Sequence, residues 1–367
     1  MLLPFARDVP SAVKRNDREF GATMTMDELA AKFVRVETQP APLCGSFSID
    51  RHAARDFQAY VAAATRFSVA RAGLLYGTVD GETHDVRVEA IYEPPQDATP
   101  AGVTLTRGDD EAVADFVAGE LGLVKASGRR GGVRGGRRAR RRAPSTRPLS
   151  PPQVGWVLAQ SAAPRDYILS DVEVRQAAAL HTEVGPHAVT AVVSTAPPDA
   201  DAPPGALGDV HFEAFQVSAQ CARLAAGGWL APPAAGSPAG TTAIVNPADP
   251  LLALPAIVGG KDAKEVDNDY FLVPVPIRDH GGPLGRARGF AVENRLTPQG
   301  PAQLAAFLAD SKSGPRETRY ADFHLLLWLA KQPQLGPDDV SAIARTVAAG
   351  EPVGEGYDLI LESLAAG

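Results

Sequence analysis

The chain has 367 residues, enough for two domains, and its 45% hydrophobic and 22% charged residues are the balance of a globular protein. Net charge is −7, but residues 126–153 carry nine arginines and no acid, so the remainder stands at −16, which argues against nucleic-acid binding by the folded body. Two cysteines, Cys44 and Cys221, exclude a disulfide framework or a cysteine-rich zinc finger and fit a reducing compartment, and no run approaches the ~20 apolar residues of a membrane helix, so no membrane insertion is expected.

Residues 1–49 have weak periodicity, and an N-terminal arm is expected over 1–45. Its opening, Met1–Asp8, has too short an apolar run for a signal peptide. Asp50 can cap a helix over 51–70, with Ala54, Phe57, Val61, Ala64 and Phe67 on one stripe. Strands are expected at 73–79 and 84–92, joined as a hairpin through Gly81 and ended by Glu93-Pro94-Pro95-Gln96. A helix over 110–121 should bury Val113, Phe116, Val117 and Leu121. The low-complexity stretch 126–153 cannot bury enough apolar surface to order itself. It reads as a disordered loop or as unspliced sequence, the functional alternative being a nuclear-localisation or RNA-binding tail.

A strand around Trp156 follows, then a helix over 171–183 opened by the Ser170-x-x-Glu173 capping box. Strands at 188–194 and 209–213 flank a proline-rich loop, 196–206, and a helix over 215–226 ends at Gly227-Gly228. Residues 231–250 read as a proline- and glycine-rich connection. Tyr270–Ile277 reads as a strand that its prolines demote to an edge. Helices are expected at 301–310, 321–331, 337–348 and 356–365. In the second of these, Phe323, Leu326, Leu327 and Ala330 occupy one face and Leu325, Trp328 and Leu329 the other, the pattern of a buried helix.

Most candidate chemistry lacks the residues it would need. The seven histidines are scattered, and His181 and His187 straddle a helix end at an unhelpful spacing. Asp267-Asn268-Asp269 lacks the glycine and terminal glutamate of a calcium loop, and Gly259-Gly260-Lys261 lacks the spacing of a phosphate loop. Cys221 sits on a helix without a histidine signature, so a buried thiol is expected. No metal and no cofactor is expected.

One frame is informative. Val154-Gly155-Trp156-Val157-Leu158-Ala159-Gln160, followed by Ser170 and Glu173, resembles the Val-Gly-Trp-Tyr-His-Ser-His and Ser-x-x-Asp segments of the MPN-type zinc metalloproteases. Leu158 and Gln160 stand where two histidines bind zinc, and Ala70 falls where those enzymes carry the general base. Leucine cannot ligate, and a neutral amide oxygen suits this metal poorly. Without metal-activated water and a base, hydrolysis loses its chemistry. The expectation is a pseudoenzyme with no catalytic residues, its degenerate positions being Ala70, Leu158, Gln160, Ser170 and Glu173.

Longer blocks carry a more specific resemblance. They are Gly73-Leu74-Leu75-Tyr76-Gly77, Ile91-Tyr92-Glu93-Pro94-Pro95-Gln96, Val154-Gly155-Trp156 and Val210–Ser218, then Asp267–Val273, Glu293-Asn294-Arg295, Asp322–Leu327 and Glu355-Gly356-Tyr357. From about Thr23 to the end, interrupted by 126–153, the chain resembles the nuclear protein localisation protein 4 family, especially its plant-type members. The resemblance implies an α/β architecture: a catalytically dead MPN domain over 46–228 and a mixed, largely helical C-terminal domain over 229–367. It implies an adaptor that receives polyubiquitin, pairs with the ubiquitin-fusion-degradation adaptor and serves the valosin-containing-protein AAA ATPase. Ubiquitin-dependent and ER-associated degradation follow, in cytoplasm and nucleus and at the ER surface. The ubiquitin-like domain that docks many members on the ATPase has no counterpart here, so the chain is not expected to dock by itself. Of the zinc fingers of animal and fungal members only Cys44 remains, and Thr23–Cys44 resembles the zinc-free plant version. A structural MPN scaffold is the alternative, and an active MPN isopeptidase a third. The expected ubiquitin-binding residues are Tyr92, Glu93, Pro94 and Gln96 at one strand end and Phe212, Glu213 and Phe215 along another, with fold maintenance as the competing role.

Overall fold

The computed structural model describes residues 34–123, 153–196, 206–284 and 289–367, with 201 and 203 between them. Of the arginine-rich stretch 126–153 only Gln153 is among them, so the expectation of disorder there lies outside the described residues. The first elements are β1 (Val34–Val36), β2 (Phe47–Asp50), α1 (Arg51–Tyr60), β3 (Arg71–Val79), β4 (Val86–Tyr92), β5 (Gln96–Thr99), β6 (Gly102–Leu105) and α2 (Asp109–Glu120). After Gln153 come β7 (Gln153–Ala159), α3 (Asp171–Val184), β8 (Val189–Thr195), β9 (Val210–Val217) and α4 (Ala219–Ala226). Short strands follow: β10 (Leu230–Ala231), β11 (Thr241–Asn246), β12 (Asp249–Ala253), β13 (Ala256–Val258), β14 (Lys261–Ala263), β15 (Glu265–Asp267), β16 (Leu272–Pro274) and β17 (Ile277–His280). Four helices close the chain: α5 (Pro301–Ser311), α6 (Phe323–Leu329), α7 (Pro337–Ala349) and α8 (Glu355–Ala366). The architecture is mixed α/β, and among the described residues no helix is long and apolar enough to cross a membrane.

Contacts divide the chain into two units of interleaved segments: 1–42, 164–186 and 215–274 in one, 43–163, 187–214 and 275–367 in the other. The larger unit is organised on a sheet in the order β9-β8-β7-β3-β4-β2-β17. Its centre is the expected β3–β4 hairpin, registered at Leu74↔Tyr92 and Val79↔Val86. Asp80 closes the turn, its Oδ1 accepting the N–H groups of Glu82 and Thr83 at 2.8 and 2.7 Å. β3 also pairs antiparallel with β7, and β7 runs parallel to β8. Gly155 is required there: at φ +157° a Cβ would lie 2.0 Å from the Val189 carbonyl oxygen. Trp156 donates its indole N–H to Thr190 Oγ1 at 2.9 Å. Phe47, Phe57, Val61, Phe67, Leu75 and Val157 fill the core behind this sheet.

Asp50 caps α1 as expected, accepting from His52 and Ala53. The helix is shorter than its apolar stripe: Val61–Thr65 widens to a π turn, and Arg66 and Phe67 take left-handed backbone, φ 51° and 53°. Val61 and Phe67 reach full burial and Ala64 is left exposed. α2 is likewise rotated from the expected face. Ala114, Val117, Ala118 and Leu121 are buried, while Val113 and Phe116 are half-buried. The small Ala114 and Ala118, four apart, let α2 pack against α6 and α7. α6 is the buried helix its two-sided apolar pattern called for, with Leu325, Leu326, Leu327 and Leu329 fully buried.

In the smaller unit the described end of the expected arm is a strand: β1 pairs parallel with β13, and Val34 and Val36 are fully buried. The expected 231–250 connection holds the end of β10 and all of β11, which pair antiparallel. The helix expected from Phe215 begins at Ala219, because Ser218 Oγ accepts the Cys221 N–H at 3.1 Å and Phe215–Val217 finish β9. Asn268 is fully buried and satisfied: its side chain bonds Thr242 Oγ1 at 2.6 Å and the Leu169 carbonyl at 2.8 Å, and its N–H donates to the Gly240 carbonyl. α3 opens with the expected capping box, Glu173 N–H to Ser170 Oγ at 3.3 Å and Ser170 N–H to Glu173 Oε2 at 2.8 Å. Ser170→Ala therefore lowers the unfolding free energy by ~0.5–2 kcal/mol, read by urea denaturation.

Candidate functional site

The β3–β7 pairing sets Ala72 opposite Leu158 and Arg71 opposite Ala159, so Ala70 and Gln160 sit at the same end of the strand pair. All three residues at the degenerate positions in this unit are buried, Ala70 and Leu158 completely and Gln160 at 4% exposure. The backbone N–H of Ala70 donates to the Thr99 carbonyl and that of Gln160 to the Val193 carbonyl, both at 2.9 Å. Leu158 offers no lone pair. Among the described residues no group of three or more His, Cys, Asp or Glu is placed to hold a metal ion. Ser170 and Glu173 belong to the other unit, where Glu173 also takes Arg165 at 3.3 Å and is occupied as a cap.

Tyr92, Glu93 and Pro94 are buried, and Gln96 is half-buried. Glu93 is the centre of a buried network. Its Oε2 accepts from Arg71 Nε at 2.5 Å, and its Oε1 accepts from Arg295 Nε at 3.0 Å and Nη2 at 2.5 Å. Its N–H donates to Glu293 Oε1 at 2.9 Å, and its carbonyl accepts from Asn294 Nδ2 at 2.8 Å. Arg71 returns a bond to the Asn294 carbonyl, and Arg295 also reaches Asp56 at 2.7 Å. Both guanidiniums flank the Tyr60 ring, at 4.8 and 4.4 Å from its centroid. Burial works against the charge of Arg295, but Glu93 and Asp56 more than offset it and hold its pKa above the usual value. Glu293 is held low by the same contest, burial against the facing His324, whose own pKa is pushed up to about 9 by Glu293 despite burial. Gln96 locks the strand end by bonding Ala72 N–H and the Ala72 carbonyl, at 2.8 and 2.9 Å. The sequence blocks Tyr92–Gln96, Glu293–Arg295 and His324 thus meet in one polar knot. The charge of Glu293 and Arg295, unusual beside apolar Phe290 and Val292, was the available signal.

Phe212 and Glu213 lie elsewhere, on the first half of β9. Phe212 packs half-buried on the core and Glu213 is exposed. Phe215 belongs to the smaller unit and is 6% exposed. There β9 pairs antiparallel with β16, from Leu272↔Val217 to Pro274↔Phe215, and the Val275 N–H extends the ladder to the Ala214 carbonyl at 2.8 Å. The chain then leaves β9. The Pro276 carbonyl accepts from Phe47 N–H, and β17 pairs parallel with β2. Pro274 and Pro276 have no N–H for a ladder, which eases the departure. A groove of about 370 Å³ opens between the first half of β9 and β17. It is lined by Ile49, Phe212 and Ile277 and by the exposed Arg51, Arg55 and Arg278.

No family model matches the chain. Among curated proteins, an NPL4-like protein of Oryza sativa subsp. japonica is 40% identical over 356 residues, covering 94% of this chain and 75% of that protein. NPL4-like protein 2 of Arabidopsis thaliana is 39% identical over 353 residues, with 94% and 74% covered. The nuclear protein localization protein 4 homolog of Dictyostelium discoideum is 26% identical over 299 residues, with 81% and 43% covered.

Proposed function

The chain belongs to the NPL4 family, and from that premise we propose that it is a non-catalytic ubiquitin-chain receptor that delivers ubiquitylated proteins to an AAA protein-unfolding ATPase. The observation that carries the pseudoenzyme part is Leu158, fully buried in β7 where the resembling metalloproteases place a zinc-ligating histidine. We read the inactive MPN domain over 46–228 on this basis, with the C-terminal domain over 229–367 as its partner. Polyubiquitin, the ubiquitin-fusion-degradation adaptor and the valosin-containing-protein ATPase are the partners, in cytoplasm, nucleus and at the ER surface. The purified chain holds less than stoichiometric zinc and cleaves no ubiquitin chains. Stoichiometric zinc in elemental analysis, together with chelator-sensitive cleavage, would overturn this.

For the binding site, burial separates the candidate residues. Tyr92, Glu93 and Pro94 present no surface, whereas Phe212 lines an open groove and Glu213, next to it on the strand, is exposed. The reading is that an extended ubiquitin segment lies along that groove, taking backbone bonds from a strand edge and side-chain contacts from Phe212. Phe212→Ser weakens ubiquitin-chain binding by about tenfold or more, as removal of an aromatic anchor does, and the exposed-site variant Glu213→Arg changes it without loss of melting temperature. Wild-type affinity in both variants, in a pull-down of ubiquitin chains, would remove the groove from the function.

A further inference from the structure

The groove between β9 and β17 is an interrupted ladder, and its lining specifies what would complete it. The antiparallel register of β9 with β16 would, if continued, set Phe212 opposite Ile277. β17 instead follows β2, so among the described residues neither β9 before Ala214 nor the outer edge of β17 has a strand partner on the side of the groove. Two unpaired edges beside one groove are a template for an added strand.

The side chains set its character. An extended segment alternates its faces, and one row would meet Ile49, Phe212 and Ile277. Cations stand in the same lining. Arg51 and Arg55 are one turn apart on α1 and share a face, and Arg278 lies on β17. The one acidic residue of the lining, Asp279, already lies 3.6 Å from Arg51. Arg55 is exposed and makes no ion pair among the described residues. We propose that the segment this groove receives is extended and acidic, with apolar residues among its carboxylates. This rests on the reading that the groove takes an extended segment, and adds the charge that selects it. The arginines are exposed, so they act through selectivity and encounter rate, and salt weakens them.

The test uses the full chain and two labelled model peptides, one alternating leucine with glutamate and one alternating leucine with lysine, followed by fluorescence anisotropy. Ubiquitin chains are titrated in parallel. The acidic peptide is expected to bind about tenfold more tightly than the basic one at ~50 mM salt and to lose that preference at ~300 mM. Arg51→Glu combined with Arg55→Glu, both exposed and expected to leave the melting temperature unchanged, should reverse the preference. Equal binding of the two peptides, or a preference that survives the double variant, overturns the proposal. If ubiquitin chains bind and neither peptide does, the acidic strand falls while the receptor function stands. If ubiquitin chains fail as well, the function falls and takes this inference with it.

Discussion

Glu93→Ala destabilises the protein by about 3–5 kcal/mol, the cost of removing one partner from a buried ion network. The side chains of Arg71 and Arg295 are each only 10% exposed and that of Glu93 1%. Without the carboxylate, two guanidiniums remain buried against Tyr60 with their principal acceptor gone, and Asp56 serves only Arg295. Glu93→Gln should fall between wild type and alanine, because the amide keeps one acceptor oxygen and loses the charge. Chemical denaturation of the three proteins measures this. A loss below ~1 kcal/mol for alanine, the range of an exposed pair, would mean that the network is solvated in solution.

A fragment ending at Gly228 shows no cooperative unfolding transition. Truncation there removes β17 from β2, Glu293 and Asn294 from the Glu93 backbone, and Arg295 from its carboxylate. It also removes α6 and α7 from α2. The larger unit draws its residues from 43–163, 187–214 and 275–367, so the fragment lacks the last of its three segments. Calorimetry of residues 46–228 should give no transition. A transition close to that of the intact chain would show that the C-terminal segment is dispensable for folding. A part for that segment in the proposed ubiquitin binding is therefore tested by point variants, since deletion removes the fold.

Local chemistry was legible wherever a short-range rule operates alone. The Ser170–Glu173 box, the Asp50 cap, the hairpin across 80–85 and the buried character of α6 each depend on residues within one or two turns. Structure departs from local pattern where packing chose between local options. α1 gave up its last expected turn so that Phe67 could be buried, and α2 turned its alanines inward. The helix expected from Phe215 lost its first residues to β9, although Ser218 carried the capping signal.

By itself, the sequence determined the family, because 37–40% identity over 94% of the chain leaves little room for chance. It also determined that Leu158 and Ala70 bring no ligating side-chain atom to the β3–β7 strand pair, since side-chain identity alone decides whether a residue can ligate. Only the tertiary structure decided where the sequence blocks lie in the fold. Glu93 and Arg295 lie 202 positions apart, and no periodicity links them; their meeting sets Tyr92–Pro94 inside the fold. Phe212 and Ile277 were likewise unconnected in sequence, and the groove between them exists because one strand leaves β9 at Pro274 to join β2. Periodicity reports which face of one element is apolar, whereas the partner of that face depends on long-range pairing that spacing does not encode.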